Sequence, residues 1–472
     1  GTLALNGGTV NGSTALTALT LGGLSGTATG SLLSLSNTNA TPAAIALSVG
    51  SNNASTSYLG VISGLGSVTK IGTGTLTLAG ANTYTGATAI NRGGVTLDFS
   101  AATPTTNILA ATSALSMGGG TLTLTGKAST TNAQTFAGLT LNSGANAIVL
   151  TANATANPLA LTVGAITANA GATLNVTLPA GTLAANNGFN TTTAAVNGIL
   201  GGYATANAGA GWLVPSAAGS SALSGEVAMP LTGATSTVNY AVTATAATTA
   251  SQSVNALRLS PAAATTLTIG TGFTQTIVSG GILANGTFAG TITGGTLTAG
   301  VLNTANTLFV HQYNTALLTI SSVIANNGTG ALTLVKAGPG ALTLTNTGNS
   351  YSGGTIINGG ILNYAGAGEL AGGGTIILNG GALNGTATLT NSRAMTVNNV
   401  GGLSASASTT LTSSGILSGS GQLVIPSTNA GTVLLSGVNT YTGGTFVAGG
   451  TVTIGNAAGL GTGALTTTGG TV

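Results

Sequence analysis

The 472-residue sequence has no cysteine, and only nine side chains carry formal charge, six Lys or Arg against three Asp or Glu. Without cysteine there is no disulfide framework, no thiolate metal site and no cysteine nucleophile. A net charge of +3 raises the isoelectric point to 9.3, yet so few cations make no basic patch. Nucleic-acid binding by phosphate neutralisation is therefore excluded as a function class. Charge-driven disorder is also unexpected, because mean hydropathy is +0.51 and such disorder needs low hydrophobicity with high charge.

Long apolar runs are missing too. Thr, Asn, Ser and Gly interrupt every apolar stretch before it reaches about 18 residues, so no transmembrane helix is expected. Gly supplies 79 residues while Glu and Lys are scarce, which argues against helix of any kind. The chain opens on Gly1 with neither an initiating Met nor a basic and apolar leader. It reads as a piece of a longer protein.

The carboxylates are Asp98, Glu226 and Glu369, separated by 128 and 143 positions. In a repeat of about 20 residues each gap is roughly six or seven coils, on the order of 30 Å, whereas paired glycosidase carboxylates sit about 5 to 9.5 Å apart. No catalytic residue is assigned and no enzyme is expected. Calcium ladders of the repeat-in-toxin kind need an Asp in each turn, and Asp98 is the single Asp. His311, the single His, lacks charged neighbours in FVHQYN and reads as structural, leaving no metal or cofactor site.

What is present is repetition. Residues 72–97, 338–362 and 429–454 each run from an alternating apolar strand through an Asn, a Tyr and a Gly into a second strand. Leu76 to Val95, Leu342 to Ile361 and Val433 to Val452 each span 19 positions, which predicts stacked turns of one coil. The opening GTLALNGGTVNG also matches GTIILNGGALNG at Gly374.

Within the strands Leu, Ile or Val alternates with Thr, as in TLTL at Thr75, TLTLT at Thr121 and TVTI at Thr451. This period of two is that of a half-buried strand with Leu inward and Thr outward. Asn-Gly pairs such as Asn6-Gly7, Asn358-Gly359 and Asn379-Gly380 supply tight turns. The expected fold is all-β, a right-handed parallel β-helix of about 20 to 25 coils and on the order of 100 to 120 Å in length. Residues 1–185 and 261–472 form the regular coils. Residues 186–260, with Trp212, Pro215 and Pro230, form irregular coils or a protruding excursion.

The candidate site residues are those of the repeat turn: Asn82, Tyr84 and Gly86, Asn349, Tyr351 and Gly353, Asn439, Tyr441 and Gly443. Each Asn is expected to satisfy backbone groups through its amide, and each Tyr to pack a corner with its hydroxyl at the surface. Lys70 and Lys336 occupy matching positions and are expected at coil edges, where lysine discourages stray strand pairing. Thr75 with Thr77 and Thr121 with Thr123 have the spacing of a water-ordering row, but Gly, Ala and Asn interrupt it.

KIGTGTLTLAGANTYTGAT at Lys70, KAGPGALTLTNTGNSYSGGT at Lys336 and SGVNTYTGGT at Ser436 resemble the passenger-associated, or autotransporter-associated, β-strand repeat. The third unit departs from the pattern by having Ser427 where the others have Lys. The resemblance implies a secreted or cell-surface β-helical passenger of a Gram-negative-type bacterium. Two functions follow. The first is a structural segment of a surface fibre, filament or sheath that self-associates end to end or laterally. The alternative is an adhesin or glycan-binding module that uses the middle region around Tyr203, Trp212 and Tyr240.

Overall fold

The computed structural model describes all residues except 102–103, 155–156, 224 and 372, and it is all-β apart from one 3-10 turn at Ala367–Leu370. Parallel sheets form a β-solenoid of about 20 turns. The chain divides into two compact units, Gly1–Leu200 with Ala204–Leu223 and Gly201–Tyr203 with Ser224–Val472.

In the first unit, sheets of nine and eight strands take alternate strands of the chain, so each coil adds one strand to each. Alternation sets which side chains meet. Leu76, Val95, Leu122, Ile148 and Val176 stand in register on successive strands and are all buried. Each such side chain contributes roughly 1.5 to 3 kcal/mol of burial. Thr77, Thr96 and Thr123 share the opposite face. The parallel series ends at Ala204–Ala206, which pairs antiparallel with Gly211–Val214, itself antiparallel to Ser221–Ala222. Asn207 and Ala208 make that reversal with φ of 50° and 53°.

The second unit repeats the plan with sheets of ten, thirteen and four strands. Its interior row is Leu318, Leu342, Leu362, Leu383 and Leu403, again fully buried.

One register departs from the sequence spacing. Val95 faces Leu76 and Val452 faces Val433, both 19 residues on, but Leu342 faces Leu362, 20 residues on, and Ile361 faces Ala341. The repeat at residues 338–362 carries one extra residue before Asn349, absorbed in a turn where Asn346 Oδ1 accepts the Gly348 N–H at 2.9 Å. Other coils are longer, with offsets of 27 residues from Val95 to Leu122 and 26 from Leu122 to Ile148. Coil length varies at the corners while strand register persists.

Candidate functional site

The corner of each repeat is an extended segment bonded to the coil before it. Thr83 N–H donates to Ile62 O, Thr440 N–H to Leu417 O, and Ser350 N–H to Ile324 O, at 2.8 to 2.9 Å. At Gly86, Gly353 and Gly443 an added Cβ would overlap the preceding coil. Glycine is what lets the backbones approach there.

The three tyrosines differ from their sequence-based expectation. Tyr84, Tyr351 and Tyr441 are fully buried, hydroxyls included, and each phenol bonds to a buried threonine four residues on: Thr88 at 2.7 Å, Thr355 at 2.9 Å and Thr445 at 2.5 Å. The corner turns the ring into the core, where an unpaired hydroxyl is costly, and the strand that follows supplies its partner. Burial raises all three phenols above their ordinary ionisation range, Tyr351 to about 12.

Each repeat asparagine spans three coils. Asn82 Oδ1 accepts the Ile62 N–H at 2.8 Å while its Nδ2 donates to Ile108 O at 3.0 Å. Asn349 joins Ile324 N–H to Glu369 O, and Asn439 joins Leu417 N–H to Gly459 O, at 2.6 to 2.9 Å. An amide suits this position because one end accepts and the other donates.

Lys70 and Lys336 lie inside the coil, not at its edge. Lys336 is fully buried, and its Nζ donates to the carbonyls of Ala337, Gly338 and Gly359, each at 2.9 Å. Lys70 Nζ likewise reaches Ile71 O at 2.5 Å and Gly72 O at 3.0 Å. Burial pushes Lys336 down to about 7, and burial with the neighbouring Arg92 charge takes Lys70 down to about 8. Arg393 follows the same rule, its guanidinium donating to the carbonyls of Leu370, Ala371, Gly373 and Gly374. With carboxylates so scarce, turn carbonyls receive the buried cations.

The repeat at residues 429–454 solves the same corner differently. Register sets Ile425 opposite Val447 as Lys336 is opposite Ile357, so the lysine equivalent is Ile425 and Ser427 belongs to a longer turn. A Cβ added at Gly360 would meet Lys336 Nζ, and one added at the equivalent Gly450 would meet Asn429 Nδ2. The Asn429 amide thus fills the place of the ammonium, donating to Gly431 O at 3.1 Å and accepting Ala405 N–H at 2.7 Å.

The remaining candidates divide between the interior and the surface. His311 is buried with Nε2 2.9 Å from Gly202 O, its ring stacked on Phe309 at a 6.3 Å centroid distance. Because Gly202 offers a carbonyl, Nε2 carries the proton. Burial, opposed by that bond and reinforced by the Lys336 charge, takes His311 down to about 4. Trp212 and Tyr240 are buried, and Tyr203, half-buried, packs against Phe309, so Trp212 and Tyr240 offer no outward sugar platform. Glu226 pairs with Arg258 at 3.0 Å, Asp98 caps Ser100, and Glu369 accepts the Ala365 N–H. Among the described residues no group of three or more His, Cys, Asp or Glu converges.

The outer faces carry small uncharged polar side chains in register. On the thirteen-stranded sheet Thr266, Thr291, Thr319, Thr343, Asn363, Asn384 and Ser404 stand in one row, one per coil. From Thr343 onward they are linked, with Asn363 Nδ2 donating to Thr343 Oγ1 at 3.2 Å, Asn384 Nδ2 to Asn363 Oδ1 at 2.9 Å, and Ser404 Oγ to Asn384 Oδ1 at 2.9 Å. Sequence reasoning missed this row because it is visible only once the register is known.

The passenger-associated-transport-repeat family model matches residues 68–97, 334–363 and 427–454, the three corners described above. Over 132 residues the chain is 45% identical to a protein of Brucella suis biovar 1 (strain 1330) named adhesin BmaC autotransporter, a match covering 28% of this chain and 4% of that protein. No solved structure matches the chain. The chain thus carries three passenger-associated-transport repeats, each with a bridging Asn and a buried Tyr–Thr pair at its corner.

Proposed function

We propose that this chain is a non-enzymatic, adhesive segment of a bacterial surface passenger, a β-solenoid that carries uncharged outer faces away from the cell and binds through them. The observation that carries the reading is the repeat match together with the 45% identity to a protein named as an adhesin. The uncharged outer row from Thr266 to Asn384, part-exposed along its length, supports it. The buried tyrosines and lysines support it from the other side, because the repeat motif is consumed in holding coils together.

Display of residues 1–472 on a non-adherent Gram-negative strain tests this. Increased attachment to epithelial monolayers or to glycan-coated plates, abolished by proteolytic removal of the displayed chain, is the expected result. Attachment no greater than that of the parent strain would overturn it. Clumping of the displaying cells without attachment would instead favour a self-associating fibre.

A further inference from the structure

One stretch of the thirteen-stranded sheet is concave. Next to the Thr343–Ser404 row runs a second outward row, Ile361, Ala382, Gly402, Val424 and Phe446, again one residue per coil. Ala382 and Gly402 fall between the larger Ile361 and Val424, and the coil carrying Gly402 comes so close to its neighbour that an added Cβ would meet the Ala382 Cβ at 2.5 Å. The result is an open groove of about 290 Å³ whose floor is Ala382 with Gly381 and Gly402, and whose walls include Ile361, Val400, Val424 and Pro426.

We infer that this groove is a binding subsite for an uncharged oligosaccharide, its floor meeting the C–H face of a sugar ring and the part-exposed Asn363–Asn384 row meeting the ring hydroxyls. The inference rests on the adhesive reading above and names its site. Three observations select the occupant. No charged side chain lines the groove, so an ionic ligand finds no counter-charge. The volume of about 290 Å³ is just under the roughly 300 to 1,000 Å³ of small-ligand sites. Finally, Ala382 and Asn384 are two residues apart on one strand. They point to the same side, about 7 Å apart, and both rows repeat at the ~4.8 Å strand spacing.

That pairing of an apolar strip with a parallel line of amides and hydroxyls suits a ligand with one apolar face and a rim of hydroxyls. Asn363 uses one amide N–H on Thr343, leaving the second for a ligand oxygen.

The test is titration calorimetry of the whole chain with cellohexaose, chitohexaose and maltohexaose, repeated for Ala382→Leu, which fills the groove, and Asn363→Ala, which removes a polar contact while sparing the floor. Thr96→Leu, on the outer face of the other unit, is the control. The expected result is binding of at least one hexaose, weakened tenfold or more by Ala382→Leu, severalfold by Asn363→Ala and not by Thr96→Leu. No binding of any hexaose at millimolar concentration overturns the proposal, as does binding that both groove variants leave unchanged. A change in sedimentation of Ala382→Leu without sugar binding also overturns it, in favour of a contact between copies. If displayed cells adhere equally with and without Ala382→Leu, the subsite fails while the adhesive reading stands.

Discussion

Lys336 Nζ donates to the carbonyl of Gly359 at 2.9 Å, tying a side chain on one coil to the backbone of the next. The same nitrogen serves Ala337 and Gly338, so one ammonium satisfies a turn and locks it to its neighbour. Replacing Lys336 by Met keeps the stem and removes all three donors. We expect a loss of roughly 1 to 3 kcal/mol, the cost of leaving buried acceptors without partners, read as a lower urea midpoint. Hydrogen exchange should rise first at residues 355–362, and uniform exchange across the second unit would contradict this account.

Tyr351 and Thr355 form a closed pair in the core, with the hydroxyls 2.9 Å apart. Tyr351→Phe strands the threonine hydroxyl and should cost about 1 to 2 kcal/mol. Thr355→Val should do the same to the phenol. Removing both groups leaves nothing unpaired, so the double variant should lose less than the sum of the singles. Simple additivity in denaturant titrations would count against the pair.

Asn349 receives from Ile324 on one side and gives to Glu369 on the other. Asn349→Ala breaks both links, whereas Asn349→Asp retains an acceptor for Ile324 and loses the donor to Glu369. Exchange mass spectrometry should therefore show both neighbouring coils opened by the alanine. The aspartate should open mainly the coil containing Ala367–Leu370.

His311 gives the protein an acid-sensitive step. Its folded-state pKa lies near 4 against an ordinary value of 6.5, so between these pH values the unfolded chain takes up a proton that the folded chain refuses. The contribution is fully present above about 6.5 and is lost as pH falls towards 4, by the linkage of proton binding to stability. Melting temperature should drop over that window, and His311→Gln should flatten the drop. An unchanged slope in the variant would assign the acid response elsewhere.

The coil architecture could be read from sequence because solenoid packing is local: Leu76, Val95 and Leu122 must face inward once their strands alternate, whatever lies further along the chain. The corner residues were harder. Lys70 shares parity with Val68, and Lys336 with Leu334, so alternation alone points both lysines inward. The habit of placing lysine in water hid that signal, since nothing in the string shows that turn carbonyls can replace a carboxylate. The third unit was misaligned for a related reason. Counting back from Thr432 lands on Ser427, and only strand pairing reveals that the turn is longer and that Ile425 is the equivalent. The groove at Ala382 and Gly402 is set by contacts between coils 20 or more residues apart, beyond any local pattern.

The extra residue that shifts Leu342 from Ile361 to Leu362 has a further consequence for how such chains change. A single added residue at this corner leaves every inward leucine inward, whereas the same addition within a strand would swap its faces. The bend ahead of the bridging asparagine is thus a natural graft point. Foreign peptides spliced between Thr345 and Gly348 should be carried on the outside of an undisturbed coil, which makes the corner a place for presenting cargo as well as for holding the chain together.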